Sequence, residues 1–114
     1  MDERGGEGDE KIARNNDAFR RANEGIRKAA ERHRFEAPVP FVCECPEPTC
    51  RELVRVPLEA YEEVRRHSRR FLTVPEHAHR EGGEVVERSD GYFVVEKHGR
   101  SGEIVAELDP RGEE

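Results

Sequence analysis

Residues 41–50 read Phe41-Val42-Cys43-Glu44-Cys45-Pro46-Glu47-Pro48-Thr49-Cys50, and this stretch decides how the fold is held together. It contains all three cysteines of the chain. Free cysteine usually behaves as a small buried apolar residue, but three of them flanked by Glu44, Glu47 and Arg51 fit that role poorly. Thiolates are preferred ligands of soft metals. The stretch therefore predicts a metal-binding knuckle.

The residues before and within this stretch bring the three thiols close together. Residues 39–43 are apolar and partly β-branched, which predicts a strand in which residues two apart point the same way. Cys43 and Cys45 therefore present their sulfurs to one side. The two prolines that follow fix φ and lack an N–H, which predicts a loop that returns Cys50 toward the first two thiols.

A tetrahedral metal site needs a fourth ligand, and Cys3His is a common structural zinc set. The histidines nearest to a predicted strand end are His77 and His79, which share one loop. The sequence therefore predicts Zn²⁺ bound by Cys43, Cys45, Cys50 and one of these histidines. Two alternatives stay open, namely an iron–sulfur or other soft-metal site and metal-free thiols that are either buried or redox-active.

The composition limits the size of the core and the nature of the surface. The chain has 114 residues, which suits a single domain, and only 33% are hydrophobic while 40% are charged. A chain this polar builds a small core, and a structural metal offsets that shortage because its binding energy is folding energy. The net charge of −6 argues against nucleic-acid binding over the whole surface but permits a local basic patch.

Cysteine usage and the lack of long apolar segments indicate where the protein works. An odd number of cysteines without an apolar segment at the start predicts a reducing cytoplasm. No stretch approaches the length of a transmembrane helix. The chain contains no P-loop, no G-x-S-x-G and no dinucleotide-binding fingerprint, which argues against those enzyme classes.

A long basic helix is predicted ahead of the knuckle. Residues 1–8 are predicted to be a disordered lead, and residues 9–35 are predicted to form an amphipathic helix. Its large apolar residues are seven apart and form a narrow seam, and three asparagines lie beside that seam. The seam residues are Ile12, Phe19 and Ile26.

Three interpretations of this seam are open. It packs on the rest of its own domain, it associates with a second copy through residues 12–33, or it docks as a helix in a groove of another protein. Lys and Arg outnumber Asp and Glu between residues 11 and 34, which suits contact with RNA or an acidic protein surface. A solvated face with pairs such as Asp17 and Arg21 explains the same charges.

The remaining segments predict a small α+β domain over residues 38–109, followed by a tail at 110–114. Ser89-Asp90-Gly91 separates two apolar runs and predicts a hairpin. A short helix is predicted from Pro57 to about Ser68, and a turn at residues 99–102. Together with residues 39–43, the further predicted strands form one small antiparallel sheet of five or six strands. They are residues 52–56, 71–74, 84–88, 92–97 and 103–108.

Several phrases of this domain resemble small, largely uncharacterised bacterial cytosolic proteins in which a Cys-x-Cys-x4-Cys knuckle precedes a Pro-x-His step. The likeness covers about residues 38–98. It implies that His77, rather than His79, is the fourth ligand, and it implies no particular activity. Most such proteins have Gly in place of Glu76. The phrases are Phe41-Val42-Cys43-Glu44-Cys45, Leu58-Glu59-Ala60-Tyr61-Glu62-Glu63-Val64-Arg65, Arg70-Phe71-Leu72, Val74-Pro75-Glu76-His77 and Tyr92-Phe93-Val94-Val95-Glu96-Lys97.

We therefore expect a non-enzymatic, zinc-stabilised binding or regulatory module that engages a macromolecular partner, most simply a protein, through its N-terminal helix. The expected contact residues are Ile12, Phe19, Ile26, Arg20 and Arg27. The alternative is an RNA- or ribonucleoprotein-associated factor that contacts phosphates. Its contact residues would be Arg20, Arg27, Arg66 and Arg70.

Two further functions are weighed against these. A zinc enzyme requires an open coordination position and a general base such as Glu76 or Glu81. A thiol redox sensor requires exposed, metal-free cysteines.

Overall fold

The computed structural model describes residues 3–34, 36–78 and 83–111, and it confirms the α+β class. Its elements follow in chain order. They are α1 (Glu3–Arg32), β1 (Val39–Val42), β2 (Leu53–Val56), α2 (Leu58–Arg65), β3 (Arg70–Thr73), a single turn of 3₁₀ helix (Pro75–His77), β4 (Gly83–Ser89), β5 (Tyr92–Lys97) and α3 (Gly99–Leu108). Within these ranges, no helix has the length and apolar character needed to cross a membrane.

The strands form two small antiparallel sheets, which corrects the prediction of a single sheet with five or six strands. β1 pairs with β2, and the second sheet has the order β3-β5-β4. The knuckle joins the two sheets, because the N–H of Glu44 donates to the carbonyl O of Leu72 at 2.7 Å. The predicted hairpin is confirmed, with Ser89 opposite Tyr92 in the β4–β5 register.

Residues 103–108 form the second half of α3 and not the predicted strand. The predicted turn at residues 99–102 is likewise the start of this helix. Ile104, Val105 and Leu108 share one helical face and pack with Phe71, because Leu108 lies four residues after Ile104 and three after Val105.

Helix α1 begins at Glu3, so the prediction of a disordered lead over residues 1–8 is corrected for residues 3–8. This helix of 30 residues packs against both α3 and β1. Ala13 packs with Phe71 and α3, and Ala30 and Ile26 pack into the main core. Near the C-terminal end of α1 the seam therefore packs on the protein's own core, as in the first of the open interpretations. Residues 112–114 of the predicted tail lie outside the described residues.

The main core lies between β1, β2 and α2. Val39, Val54 and Val56 are buried there, and the rings of Phe41 and Tyr61 stack with their centroids 4.2 Å apart. This small cluster places the end of β1, where the knuckle begins, beside α1 and β3.

Buried charges join the three helices. Arg65 of α2 donates from Nε to Glu24 of α1 at 2.7 Å and also donates to Asp109, which follows α3. Arg111 donates to Glu24 at 3.0 Å and to Glu62 at 3.0 Å. Arg65 has no exposed side-chain surface, so these contacts form in an interior where charged hydrogen bonds are strong.

Candidate metal centre

The structure brings Cys43, Cys45, Cys50 and His77 into one cluster, and the three cysteines are free. Their ligand atoms all lie within 4.8 Å of one another. Nδ1 of His77 lies 3.6 Å from Sγ of Cys43 and 3.5 Å from Sγ of Cys50. The cluster can therefore bind a metal ion, with the imidazole ligating through Nδ1.

Two local turns set this geometry. The carbonyl O of Glu47 accepts the N–H of Cys50 at 3.0 Å, and its carboxylate accepts the hydroxyl of Thr49 at 2.6 Å. This turn returns Cys50 to the first two thiols. Pro75 opens the 3₁₀ turn, in which the N–H of His77 donates to the carbonyl O of Val74 at 3.0 Å. His79, the alternative fourth ligand, lies outside the described residues.

Backbone N–H groups point at the sulfurs. The N–H of Val74 donates to Sγ of Cys43 at 3.4 Å, and the backbone at Cys45 and Glu47 acts to lower the pKa of Cys43 and Cys45, respectively. Burial nevertheless raises the pKa of both Cys43 and Cys45, and these hydrogen bonds offset only part of the effect. A bound cation supplies the positive charge that thiolates need in such a place.

Glu44 lies fully buried between the two cysteines. Its carboxylate accepts the side-chain N–H of Asn23 at 2.8 Å and the backbone N–H of Leu72 at 2.9 Å. Burial raises the pKa of Glu44 to about 7, although both hydrogen bonds act in the opposite direction. The side chain at the centre of the knuckle thus links α1 to β3.

Three asparagines of α1 hold the knuckle. Asn15 donates to the carbonyl O of Pro46 at 2.9 Å, and Asn16 donates to that of Glu44 at 2.7 Å. Asn23 donates to Glu44, and it exchanges hydrogen bonds with both backbone groups of Val42. Sequence reasoning placed these residues beside the seam without giving them a role. Their signal was that asparagine is unfavourable inside a helix unless it has a partner.

The expected contact residues of α1 lie in different environments. Ile12, Phe19 and Ile26 are half-buried, and Ile26 packs on the main core. Arg27 is 16% exposed and lies beside Glu24, Glu31 and Glu62.

Arg20 is fully buried, which corrects the expectation that it contacts a partner or phosphates. It donates to Asp17, to the carbonyl O of Ser68 at 2.8 Å and to that of Val105 at 2.8 Å. Its guanidinium also lies 4.9 Å from the centre of the Phe71 ring. Arg20 is therefore a core residue that joins α1 to β3 and α3.

The other residues named for phosphate contact or catalysis are dispersed. Arg66 is exposed and lies 3.4 Å from Glu63, whereas Arg70 donates to Glu96 at 2.7 Å. Glu76 is exposed in the 3₁₀ turn, and Glu81 lies outside the described residues. The predicted pair of Asp17 and Arg21 is confirmed at 2.6 Å.

The described residues form a small α+β protein with a Cys3His cluster that can hold a metal ion. The chain matches no protein-family model, no curated protein and no solved structure.

Proposed function

We propose that the protein is a non-enzymatic binding module whose fold is stabilised by one Zn²⁺ ion at Cys43, Cys45, Cys50 and His77. The observation that carries the metal assignment is the spacing of the ligand atoms. Tetrahedral zinc, with Zn–S near 2.3 Å and Zn–N near 2.0–2.1 Å, holds sulfur and nitrogen about 3.6 Å apart. The sulfur-to-nitrogen distances of 3.6 and 3.5 Å agree with that value.

The ligand set also supports zinc over other metals and supports a structural role over a catalytic one. Iron–sulfur clusters usually take four cysteines, or two cysteines with two histidines, and this set has three with one. Four protein ligands fill a tetrahedral shell, whereas catalytic zinc keeps one position open for water or substrate.

Elemental analysis of purified, untagged protein tests the metal assignment. We expect one zinc ion per chain, with iron and copper far below that ratio. Protein that is folded with three free thiols and no metal, or that carries stoichiometric iron, contradicts the assignment.

The binding part of the proposal is supported by an open groove between the last turns of α1 and β1. The groove has a volume of about 410 Å³. Its wall is nearly all apolar and includes one of the expected contact residues. The lining residues are Ile26, Ala29, Ala30, His33, Val39 and Pro40.

Exposed basic residues flank this groove and suggest the chemistry of its partner. Arg32 ends α1 and is exposed, as are Arg34 just beyond it and Arg55 opposite Pro40 in the β1–β2 register, whereas Glu36 is an exposed acid in the connection to β1. We therefore propose as partner a protein segment with one or two large apolar side chains and acidic neighbours. Its apolar side chains would fill the apolar groove, and its acidic residues would face the exposed arginines.

Ala29→Arg tests this surface because it fills the groove without removing a large core side chain. Its matched control is Ala18→Arg, which adds the same charge at an exposed position of α1. Proteins captured from nuclease-treated lysate are identified, and their acidic segments are titrated as peptides against purified protein. We expect Ala29→Arg to weaken binding by about tenfold or more, and Ala18→Arg to leave it unchanged.

Zinc content and circular dichroism of both variants show whether the fold is intact. Equal binding by wild type and Ala29→Arg contradicts the groove as the contact surface. Partners that are captured from untreated lysate but not from nuclease-treated lysate support the RNA alternative instead. A molecular mass of the purified protein that rises with its concentration supports self-association.

A further inference from the structure

Two buried polar atoms near the metal ligands have no hydrogen-bond partner among the described residues. They are Oδ1 of Asn16 and Oγ1 of Thr73, and each residue is only 2% exposed. They belong to different elements, α1 and β3. Buried polar groups in native proteins nearly always have a partner, and ordered water is a common one.

Both residues line the same small cavity. Its volume is about 10 Å³, which is close to the smallest space that holds one water molecule. The wall also contains the metal ligands Cys45 and His77 and the polar residues Glu44 and Lys97. The cavity therefore lies directly behind the metal centre, between α1 and β3.

The orientation of the Asn16 amide is fixed by its other contact. Nδ2 donates to the carbonyl O of Glu44 at 2.7 Å, and a carbonyl accepts only from a donor. Oδ1 is therefore the acceptor left over, and Thr73 supplies a hydroxyl that either donates or accepts. A molecule that joins the two must donate at least one hydrogen and be no larger than water.

We propose that one ordered water molecule occupies this cavity, donates to Oδ1 of Asn16 and hydrogen-bonds to Oγ1 of Thr73. A bare cation is a poorer occupant, since Lys97 forms part of the wall. The water links α1 to β3 behind Cys45 and His77. It adds to the direct contacts of Asn15, Asn16 and Asn23, and it does not depend on which metal the site binds.

A crystal structure of the metal-loaded protein, at a resolution that shows ordered water, tests the proposal directly. We expect a single peak at about 2.7–3.2 Å from both Oδ1 of Asn16 and Oγ1 of Thr73. An empty cavity overturns the proposal, as does a direct hydrogen bond between the two side chains.

Substitution of Thr73 gives a second test. Thr73→Val removes the hydroxyl at nearly constant volume, and Thr73→Ser retains it. We expect the peak to be lost in Thr73→Val and kept in Thr73→Ser. We also expect the Tm of Thr73→Val to fall by about 3–8 °C, with zinc content unchanged.

Ser89→Ala is the control, because the Ser89 hydroxyl donates to Glu87 in an exposed hydrogen bond of the β4–β5 hairpin and Ser89 is not part of the metal cluster. We expect its Tm to stay close to that of wild type. A peak that persists at the same position in Thr73→Val overturns the role assigned to the hydroxyl. If Thr73→Val does not fold, the wild-type crystal structure alone decides.

Discussion

Asn23 acts on β1 as a neighbouring strand would. Its Nδ2 donates to the carbonyl O of Val42 at 2.9 Å, and its Oδ1 accepts the N–H of the same residue at 2.8 Å. A side-chain amide offers the same donor and acceptor as a peptide group. One residue of α1 therefore satisfies the backbone of β1 where no strand is available, and it also holds Glu44.

Asn23→Ala should lower the free energy of unfolding by about 2–4 kcal/mol, because it removes two part-buried hydrogen bonds to the backbone of Val42 and one of those to the buried carboxylate of Glu44. The matched control is Asn15→Ala, which removes a single part-buried hydrogen bond and should cost about 1 kcal/mol. Denaturant unfolding with excess zinc measures both values. Equal costs for the two variants contradict the special role of Asn23.

His77→Gln should weaken zinc binding by more than about 100-fold, since loss of a ligand exceeds the effect of losing an outer partner. His67→Gln is the control, because His67 is exposed and is not part of the cluster. Competition against a coloured chelator gives both affinities. Wild-type affinity in His77→Gln assigns the fourth ligand elsewhere, with His79 the first residue to replace.

The metal cluster was predictable from sequence, whereas the residues that support it were not. Clustered cysteines with a nearby histidine are typical of metal sites, so residue type pointed to Cys43, Cys45 and Cys50. Residue type left His77 and His79 as alternatives for the fourth ligand. The burial of Arg20 was not predictable from its residue type, because arginine is rarely buried unless it has partners. Its partners are the backbone carbonyls of Ser68 and Val105, which are far away in sequence.

Among the elements, α3 shows why the local sequence pattern predicted a turn and a strand where the structure has a helix. Glycines at 99 and 102 resemble a turn, and Ile104 and Val105 favour strands. Gly102 serves packing instead, since a Cβ there would lie 2.7 Å from the carbonyl O of Lys97. The apolar face of α3 then packs on Phe71. The hairpin and β1 were predictable because turn chemistry and β-branched runs act within a few residues.

The charged contacts among the helices depend on pH in a defined direction. Burial alone would raise the pKa of Glu24 and Asp109, but hydrogen bonds from Arg65 and Arg111 outweigh it, so both pKa values are lowered. Carboxyl groups with lowered pKa values stabilise the fold above their usual pKa. That contribution is lost as pH falls through the folded-state value.

Glu24→Gln should therefore cost about 1.5–3 kcal/mol near pH 7, and its difference from wild type should shrink below about pH 4.5. Metal loss at low pH affects both proteins and cancels in the difference. Glu63→Gln is the control, since Glu63 pairs with Arg66 at the surface, where ion pairs contribute little. A difference that stays constant between pH 6 and 3 contradicts this account.

For the whole molecule, the metal site and α1 form one structural unit. The asparagines of α1 bond to residues 42–46 of the knuckle. The core is small and has two apolar clusters, one that includes Ala13 of α1 and one that includes Ala30. Loss of the metal should therefore disturb α1 as well as the loops that carry the ligands.

Chelation should lower the Tm by about 10 °C or more and should speed hydrogen exchange of amides in α1 around residues 15–23. Calorimetry and mass-detected exchange measure the two effects, and zinc release is followed in the same samples. An unchanged Tm after zinc has left contradicts a stabilising role. Faster exchange confined to the knuckle contradicts the coupling to α1.

Arg20 has a consequence for how the protein is made. Helix α1 leaves the ribosome before the elements that follow it, but the carbonyl O of Val105, to which Arg20 donates, lies 85 residues later in the chain. The carboxylate of Glu24 accepts a hydrogen bond from Arg111, which lies 87 residues later in the chain. Until translation has passed both, α1 carries a guanidinium and a carboxylate without their final partners. Chains that end before Arg111 therefore lack at least one of these contacts, and the segment from Val105 to Arg111 completes the set that α1 uses.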